Sequence, residues 1–279
     1  MRTLVIAELG STHDGDLGKA FDMIDDARDA GADFVKAQFW SSAKRLAERR
    51  KSGAYYEAIY AKYQIPADWL EALENRTRAT GLGFMATCYL PEDIPLVAEH
   101  VDHFKVASFE AADTDFIRAH YPFCYNNNRW LIVSTGLQAD DTLRPLMNER
   151  AAAKQRGSES VTLKLLHCVS AYPAPASSLA MRQIRTMRFD GFSDHAAAGW
   201  IASGAVAVAL GAKILEVHLR LPETDEKNPD APHALMPGQL RTYIEHVRTA
   251  ETAIGEESWR SHNPAEDEMR KYRVAPGQP

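Results

Sequence analysis

Short apolar runs alternate along the chain with longer segments in which apolar residues recur at the spacing of a helix. A short apolar run bounded by turn residues is typical of a buried strand, and a glycine after an amphipathic segment is typical of a helix end. Three of the helical segments are LGKAFDMIDDARDAGA, WLEALENRTRATG and GWIASGAVAVALGA. The predicted strands are TLVIAEL from Thr3, DFVKAQF from Asp33, GFMATCY from Gly83, HFKVAS from His103, WLIVSTG from Trp130, TLKLLHCV from Thr162, GFSDH from Gly191 and KILEVHL from Lys213.

These elements predict an α/β fold, a TIM (β/α)8 barrel. About eight β/α units in one chain is the number that this barrel needs, and such a barrel takes roughly 250 residues. We assign residues 1–260 to the barrel domain and residues 261–279 to a C-terminal tail or linker remnant. A doubly wound open sheet is the alternative, but no glycine-rich fingerprint follows the first strand.

Two connections interrupt the alternation. The first runs from Trp40 to Pro66 and is rich in lysine, arginine and tyrosine. Connections of that length are often lids or substrate-binding loops. Its basic stretch KRLAERRKS, from Lys44, mixes apolar and acidic residues and is expected to be a solvated face. The second connection, PETDEKNPDAPHALMP, follows the last strand and combines prolines with several carboxylates.

Composition narrows the range of partners. The chain is 45% hydrophobic and has a formal net charge of −6 without a basic stripe, which argues against a nucleic acid or an anionic membrane as the partner. No run approaches the ~20 apolar residues of a membrane span. The cysteines are few and widely separated, which suits a reducing compartment. We therefore expect a cytoplasmic protein.

Polar or ionisable residues stand at the carboxyl end of nearly every predicted strand. In a TIM barrel this end carries the active site, whereas polar residues at the other end serve stability. One such residue could equally be a satisfied structural group, but their recurrence on nearly all strands favours a site. The residues are Glu8, Lys36, Gln38, Thr87, Lys105, Ser108, Glu110, Ser134, Thr135, His167, Ser170, Ser193, Asp194, His195, Glu216 and His218.

Lys36 and Lys105 lie inside otherwise apolar strands, where an unpaired charge is costly. They can form core ion pairs with Glu8 or Glu110, or they can line an anion site together with hydroxyl groups. Phosphate and carboxylate recognition uses this mixture of ammonium and O–H donors. We favour the anion site. Its hydroxyl groups would come from Thr87, Ser108, Ser134 and Ser193.

His195 and His218 end the last two predicted strands. Neutral imidazoles at neighbouring strand ends can share one divalent cation and leave positions open for substrate or water. Each histidine alone could be structural, but the pair favours a metal site. Because adjacent strand residues face opposite sides, Asp194 should point away from Ser193 and His195 and anchor the strand. His13 is expected in a loop before a helix.

Nine motifs carry a family resemblance. They are AELGSTHDGD, GADFVKAQ, GFMAT, FKVASFE, IVSTG, LLHCVSAYPAP, GFSDH, ALGAKILEVH and NPD, in this order over most of the chain. Together they resemble the sialic acid (N-acetylneuraminate) synthase family. This resemblance implies a barrel that condenses phosphoenolpyruvate with an aldehyde sugar, N-acetylmannosamine or a related aldose, to give a 2-keto-3-deoxy sugar acid and phosphate. It also implies a divalent metal, usually Mn2+, with Mg2+ or Co2+ as alternatives.

The resemblance further implies residue roles. Glu8, Glu110 and Asp230 would be catalytic, with Glu110 or Asp230 handling the proton of the attacking water, and His195 and His218 would bind the metal. The substrates would be held by Lys36, Gln38, Thr87, Lys105, Ser108, Ser134, Ser170, Tyr172 and Ser193.

Several positions depart from the family pattern. Thr12 and Asp14 replace two asparagines of an Asn-His-Asn-Gly motif, and Phe109, Ala231 and Ala234 replace other family residues. These positions would face the sugar, so a different or smaller aldehyde is a possible acceptor. Family members usually carry a small C-terminal antifreeze-like domain that reaches the partner subunit's site. We expect a homodimer, with a separate antifreeze-like protein as a further candidate partner.

Two other functions remain open from the sequence. A metal-dependent barrel aldolase or isomerase could use the same histidines without phosphoenolpyruvate, and it would need neither Lys36 nor Lys105. A non-catalytic barrel could bind a sugar phosphate or a protein without turnover. The presence of both lysines, both histidines and Glu110 weighs against the non-catalytic barrel.

Overall fold

Eight parallel strands alternate with helices in a computed structural model, which describes residues 2–125, 129–156, 162–255 and 263–274. The strands are β1 (Leu4–Glu8), β2 (Phe34–Phe39), β3 (Gly83–Cys88), β4 (His103–Val106), β5 (Trp130–Ser134), β6 (Thr162–Cys168), β7 (Gly191–Asp194) and β8 (Ile214–His218). The helices are α1 (Leu17–Ala30), α2 (Ala43–Arg50), α3 (Gly53–Tyr63), α4 (Asp68–Ala79), α5 (Ile94–His100), α6 (Thr114–Ala119), α7 (Tyr121–Tyr125), α8 (Asp140–Arg156), α9 (Arg182–Thr186), α10 (Ser203–Ala209), α11 (Pro237–Ile254) and α12 (Asp267–Arg270).

The strands close into a barrel in the order β1 to β8, and every neighbouring pair is parallel. The ring closes where β1 pairs with β8, with Glu8 opposite His218. This is the TIM barrel that the alternating pattern predicts, and all eight predicted strands are present. The closed ring excludes the doubly wound open sheet, which has two free edges.

Alternation along each strand divides the side chains between the barrel interior and the helices. Because successive strand residues face opposite sides, every second residue points inward. An apolar layer fills the lower interior, and two residues further along the same strands come Glu8, Thr87, Ser134 and Glu216. This apolar layer consists of Ile6, Met85, Ile132, Leu166 and Ile214. The polar residues therefore form a layer directly above this apolar layer, at the carboxyl end of the barrel.

Helix α1 shows how local sequence sets the outer layer. The Asp16 side chain accepts hydrogen bonds from the backbone N–H groups of Gly18 and Lys19, which otherwise lack helical partners. Gly31 ends the helix at a φ of 90°, a left-handed conformation that favours glycine. Ala20, Met23, Ile24 and Ala27 are buried in the main apolar core between strands and helices.

The segment from Trp40 to Pro66 contains two helices, α2 and α3, rather than an open loop. The indole Nε1 of Trp40 donates to the carbonyl oxygen of Tyr60 at 3.3 Å, and the Gln64 side chain binds two backbone groups near the start of α2. Sequence periodicity missed α3 because only Tyr63 of its residues is buried. The segment stays at the carboxyl end of the barrel, where a substrate-binding loop was expected.

The C-terminal part packs against the start of the fold. Helix α11 contacts both α10 and α1, and the short helix α12 follows later in the chain. The predicted domain boundary at residue 260 lies outside the described residues, so the tail assignment stays a prediction. Within the described part of the chain, no helix is both long enough and apolar enough to cross a membrane.

Candidate active site

A cavity of about 280 Å³ opens at the carboxyl ends of the strands. It is lined by every residue of the predicted site except Ser170 and Glu110. The predicted residues that line it are Glu8, Lys36, Gln38, Thr87, Lys105, Ser108, Ser134, Tyr172, Ser193, His195, His218 and Asp230. Residues more than 200 positions apart in the sequence thus meet at one end of the barrel, because parallel strands direct all their carboxyl ends to the same side.

Lys36 is an ion-pair partner and a cavity residue at once. Its ammonium group contacts the Glu8 carboxylate and donates to the Thr87 hydroxyl at 2.7 Å. Lys36 and Glu8 are both buried, and the neighbouring carboxylates Glu216 and Glu8 outweigh burial and raise the pKa of Lys36. The ion pair and the anion site were alternatives in the sequence. The structure shows the ion pair and places the Lys36 side chain at the cavity, and its role in an anion site stays a prediction.

Lys105 pairs with Glu216, not with the predicted Glu8 or Glu110. Its Nζ lies 3.5 Å from Glu216 Oε2, and the Ser193 hydroxyl donates to the other Glu216 oxygen at 3.3 Å. Burial opposes the negative charge of Glu216, but Lys105 and Lys36 outweigh it and lower the pKa of Glu216 to about 2. Two ammonium groups and two carboxylates therefore share one buried polar layer.

Ser134 completes the polar layer with a free hydroxyl group. Its Oγ is buried, lines the cavity and has no hydrogen-bond partner among the described residues. A buried hydroxyl normally has a partner, so an unsatisfied one facing a cavity is suited to a bound ligand. Together with the lysines and Thr87 it forms a group of ammonium and hydroxyl donors that suits a negatively charged ligand, and this group is called the anion cradle below.

His195 and His218 lie side by side at the cavity wall, with ring centroids 5.8 Å apart. His195 Nδ1 lies 2.8 Å from the carbonyl oxygen of Val169, so the N–H is on Nδ1 and Nε2 keeps its lone pair. Burial lowers the pKa of each imidazole to about 4. Both rings are therefore neutral at pH 7, the state in which imidazole binds a metal.

Asp230 approaches the histidine pair from the connection after β8. One of its oxygens, Oδ2, accepts hydrogen bonds from the backbone N–H and the hydroxyl of Ser11, both at 2.8 Å, and lies 3.8 Å from His218 Nδ1. Gly10 has a φ of +54°, and a Cβ there would lie 2.5 Å from Asp230 Oδ2. Glycine at this position lets the loop after β1 pass close to Asp230 and His218.

A third imidazole, His233, lies behind this pair. Its ring centroid is 4.4 Å from that of His218 and 5.8 Å from that of His195. His233 is fully buried, and neither of its ring nitrogens forms a hydrogen bond to a described residue. The site thus contains three imidazoles, some with unpaired nitrogens, and the Asp230 carboxylate. Such a donor set suits a divalent cation of the Mn2+, Co2+ or Zn2+ type.

Glu110 does not line the cavity, because its carboxylate is bound by Arg50. The guanidinium of Arg50 donates from Nε at 2.8 Å and from Nη2 at 3.1 Å to the two Glu110 oxygens, a bidentate pair. The Cζ atom of Arg50 lies 4.8 Å from the ring centroids of both Tyr89 and Phe109. Arg50 itself lines the cavity, so the wall presents the guanidinium and shields the carboxylate.

The basic stretch that contains Arg50 is therefore not a uniformly solvated face. Arg49 points inward as well, with Nη2 2.8 Å from Asp113 and its guanidinium over the Phe116 ring. Lys44, Arg45, Glu48 and Lys51 of the same stretch are exposed, and Arg45 forms an ion pair with Glu92 at the surface. The predicted solvated face is therefore present for these four residues and wrong for Arg49 and Arg50, because the mixed sequence carries no sign of which side of α2 faces the barrel.

Aromatic side chains from the segment between β2 and α4 cover the other wall of the cavity. Trp40 lies edge-on to both Tyr60 and Tyr89, with ring centroids 6.1 and 5.5 Å away. The cavity residues on this side are Trp40, Leu46, Tyr56, Ile59, Tyr60, Tyr63, Tyr89 and Phe109. The cavity thus has a charged wall built by the strands and an aromatic wall built largely by α2 and α3.

The remaining predicted residues support the site from its edge. Ser170 does not line the cavity, but its hydroxyl is 2.7 Å from that of Ser108, which does. Asp194 points away from the cavity: it accepts hydrogen bonds from the Ser203 and Tyr243 hydroxyls and ties β7 to α10 and α11. This anchoring role is the predicted one. His13 lies in the loop before α1, where its Nδ1 accepts from the N–H of Gly15.

With this geometry in view, comparison with known proteins identifies the family. The sequence matches the NeuB family over residues 23–258. This chain belongs to the NeuB family. It is 27% identical over 271 residues to the N,N'-diacetyllegionaminic acid synthase of Campylobacter jejuni. The aligned region covers 91% of this chain and 78% of that protein.

Two further comparisons agree. The chain is 30% identical over 269 residues to the spore coat polysaccharide biosynthesis protein SpsE of Bacillus subtilis, covering 90% of this chain and 68% of that protein. It also shares its fold with the crystal structure of N-acetylneuraminic acid synthetase from Leptospira borgpetersenii, at 24% identity and a TM-score of 0.82, over 98% of this chain and 92% of the other. The resemblance read from the sequence motifs is confirmed at the level of family and fold.

Sequence reasoning missed several residues in or beside the cavity of this NeuB-family chain. Ser11 and Arg50 carried no strand-end signal, because both lie in connections rather than at the end of a strand. His233 could have been found from the sequence, since it follows Asp230 by three residues in the motif NPDAPH. Glu216 was recognised as a strand-end residue, but its pairing with Lys105 depends on the barrel register.

Proposed function

We propose that this NeuB-family chain condenses phosphoenolpyruvate with the aldehyde of an open-chain sugar, giving a 2-keto-3-deoxy sugar acid and phosphate. The observation that supports this most strongly is that Lys36, Lys105 and Ser134 share one cavity with His195 and His218. An aldolase that does not use phosphoenolpyruvate would have no need for a phosphate cradle. The names of the relatives, legionaminic acid synthase among them, support a sugar acid as the product.

The anion cradle would hold phosphoenolpyruvate. Lys36 and Lys105 would neutralise its phosphate and carboxylate, and the hydroxyls of Thr87, Ser134 and Ser193 would donate to its oxygens. Ser108, with Ser170 hydrogen-bonded to it, would extend the cradle along the rim. The same groups would receive the phosphate that is released.

His195 and His218 would hold the divalent cation, with Mn2+ as the proposed ion and Mg2+ or Co2+ as alternatives. A bound divalent cation polarises a carbonyl oxygen and so makes the aldehyde carbon more electrophilic. The buried neutral state of both histidines and the fixed Nδ1–H of His195 prepare their lone pairs for this task. Gln38 and Tyr172, which line the same cavity, would orient the sugar.

The reaction joins C3 of phosphoenolpyruvate to the aldehyde carbon. Water then adds to C2, and one of its protons ends on the former aldehyde oxygen, which becomes a hydroxyl group. The C2 adduct collapses to the ketone with release of phosphate, which carries away the other proton, so that one water molecule is consumed. Asp230 is the carboxylate best placed to accept the water proton, because it faces the cavity while Glu110 is occupied by Arg50. Glu8 would balance the charge of Lys36 and stabilise positive charge at C2.

The acceptor would be N-acetylmannosamine or a related aldose. The aromatic wall formed by Tyr56, Tyr60, Tyr89 and Phe109 suits the apolar face or the acyl groups of an amino sugar. Arg50 also lines this wall, but its positive charge is already neutralised by Glu110 and is therefore not available to a sugar phosphate. This arrangement favours an unphosphorylated acceptor over a sugar phosphate.

Phosphate release is the direct test. The protein is incubated with phosphoenolpyruvate and Mn2+ or EDTA, across N-acetylmannosamine, its 6-phosphate and other aldoses, and phosphate and the keto acid are measured. Mn2+-dependent release with one acceptor supports the synthase. Turnover of a sugar without phosphate release would instead support the aldolase or isomerase. Tight binding of phosphoenolpyruvate or a sugar phosphate without turnover would support the non-catalytic barrel. Sedimentation of the same sample tests the expected homodimer.

A further inference from the structure

His233 is a fully buried histidine with no hydrogen-bonding partner among the described residues. A neutral imidazole has one N–H donor and one acceptor nitrogen, and buried polar groups of this kind are nearly always satisfied. Both ring nitrogens of His233 are unsatisfied. His218 Nδ1, which lies next to it, is buried and unsatisfied as well. Two adjacent imidazoles with unpaired nitrogens are expensive in a folded protein unless something binds between them.

The carboxylate of Asp230 lies close to both of these rings. His233 Nε2 is 3.8 Å from Asp230 Oδ1, and His218 Nδ1 is 3.8 Å from Asp230 Oδ2. Both distances are too long for a hydrogen bond. They suit a shared ion, because two atoms that each bind one metal at about 2.1 Å lie at most about 4.2 Å apart. One donor atom from each of the three residues lies within 4.8 Å of the other two, so a small movement of the rings completes the site.

We infer that His233 is a third histidine of the metal site and binds the divalent cation together with His218 and Asp230. The inference deepens the proposed function, on which it rests only for the use of a metal. His195 contributes from the cavity side, because its free Nε2 belongs to a ring 5.8 Å from both other imidazoles. The cation is then held by protein groups on the side away from the substrate.

The surroundings of the three residues are already fixed. Ser11 donates twice to Asp230 Oδ2, and Asn228 accepts from the backbone N–H of Asp230 at 3.0 Å. The ring of Tyr172 lies edge-on to His233, with centroids 5.2 Å apart. These contacts hold the carboxylate and the ring near the proposed ion without using the nitrogens of His233. A purely structural histidine would instead donate directly to Asp230.

Crystals of the wild-type protein soaked in Mn2+ give the first test, since they need no substitution. Anomalous diffraction locates the ion. We expect a peak within about 2.4 Å of a His233 nitrogen and of an Asp230 oxygen. A peak that contacts His195 and His218 but lies beyond coordination distance of His233 overturns the inference.

Metal affinity in solution gives the second test. Free Mn2+ is measured by electron paramagnetic resonance in titrations of the wild type, His233→Gln and the control His103→Gln. His103 is a partly buried histidine at the start of β4, at the opposite end of the barrel. We expect a loss of affinity of at least tenfold in His233→Gln and less than twofold in the control. Equal affinity in all three proteins overturns the inference.

The two tests separate this inference from the proposed function. If the ion contacts His233 but no sugar releases phosphate from phosphoenolpyruvate, the metal site stands and the synthase fails. If phosphate is released in a Mn2+-dependent reaction while His233→Gln binds Mn2+ as the wild type does, the synthase stands and the ligand role of His233 fails. If the wild type binds no divalent cation, the inference fails together with the metal part of the proposed function.

Discussion

At the scale of single residues, the site depends on charges buried in pairs. Lys36 and Glu8 are almost inaccessible to solvent, as are Lys105 and Glu216. Removing a charge from water is costly, and the attraction between the partners and their hydrogen bonds offsets this only while both are present. The lysines are therefore held in place by the carboxylates that also offset their positive charge.

Replacing one member of such a pair should destabilise the protein. In Lys36→Met the Glu8 carboxylate loses its ammonium partner, and we expect a loss of about 3–5 kcal/mol in the free energy of unfolding, measured by urea denaturation. The double variant Glu8→Gln/Lys36→Met should recover most of this stability, because no charge is stranded. Phosphate release should remain absent in both variants. Normal turnover in the double variant would exclude Lys36 from the anion cradle.

Arg50 should control the acceptor rather than phosphoenolpyruvate. In Arg50→Met the stacked guanidinium is lost from the aromatic wall, and the buried Glu110 carboxylate loses its partner. We expect the KM for the sugar to rise at least tenfold while the KM for phosphoenolpyruvate changes less than threefold. Arg45→Met, in the same helix but with its ion pair at the surface, is the matched control. Equal effects on both KM values would contradict this assignment.

The residues that could be predicted from the sequence are those whose position follows from strand alternation. Lys105, Thr87 and His218 stand at strand ends, and a parallel barrel brings all such ends together. Arg50 and His233 could not be located in this way, because they lie in connections whose path depends on packing. The partner of Lys105 could not be predicted either, since Glu216 reaches it across the barrel interior.

At the scale of elements, the α2–α3 pair is a packed wall of the cavity. It is fixed to the barrel by Trp40 and by Gln64, whose side chain binds the backbone at Ser41 and Ala43. The Asp93 carboxylate also accepts from the backbone N–H of Ser41 at 2.8 Å. The sequence identified this segment as special but not as helical, because the exposed surface of α3 leaves no apolar stripe to detect.

Trp40 should hold this wall in place. Trp40→Phe keeps an aromatic ring but loses the hydrogen bond to Tyr60, which we expect to cost about 1 kcal/mol of local stability. Trp40→Ala also removes the ring contacts with Tyr60 and Tyr89 and should cost about 3 kcal/mol or more. Hydrogen exchange of the backbone amides of α3 measures both effects. Amides in β5, on the other side of the barrel, should exchange at unchanged rates, and equal acceleration in both elements would contradict a local role.

At the scale of the whole molecule, buried neutral histidines make stability depend on pH. Burial lowers the pKa of His13, His120, His195 and His218 to about 4, and that of His233 to about 3. An unfolded histidine takes up its proton near pH 6.5. Between pH 6.5 and pH 4 these histidines therefore bind more protons in the unfolded chain than in the folded chain. Stability should be full above pH 6.5 and fall as the pH is lowered towards 4.

His120 allows this effect to be measured away from the cavity. Its ring is buried between Phe104 and Phe116, and its Nδ1 lies 2.9 Å from the Phe116 carbonyl oxygen. Urea denaturation in EDTA at pH 7.5 and pH 5 should show that His120→Gln loses about 2 kcal/mol less than the wild type between the two values. An equal loss in both proteins would show that His120 is not a neutral histidine in the folded state.

The closure of the barrel between β1 and β8 affects when the site can form during synthesis of the chain. Within this barrel, Glu8 belongs to the first strand to be synthesised and His218 to the last, yet they stand opposite each other in the finished sheet. A growing chain that has completed β7 already contains both lysines and His195, but it lacks Glu216, His218 and Asp230. Loop closure over nearly the whole chain must come before this contact. The proposed activity should therefore appear in a single step, after β8 and the following connection have been synthesised. Shorter chains should show no part of this activity.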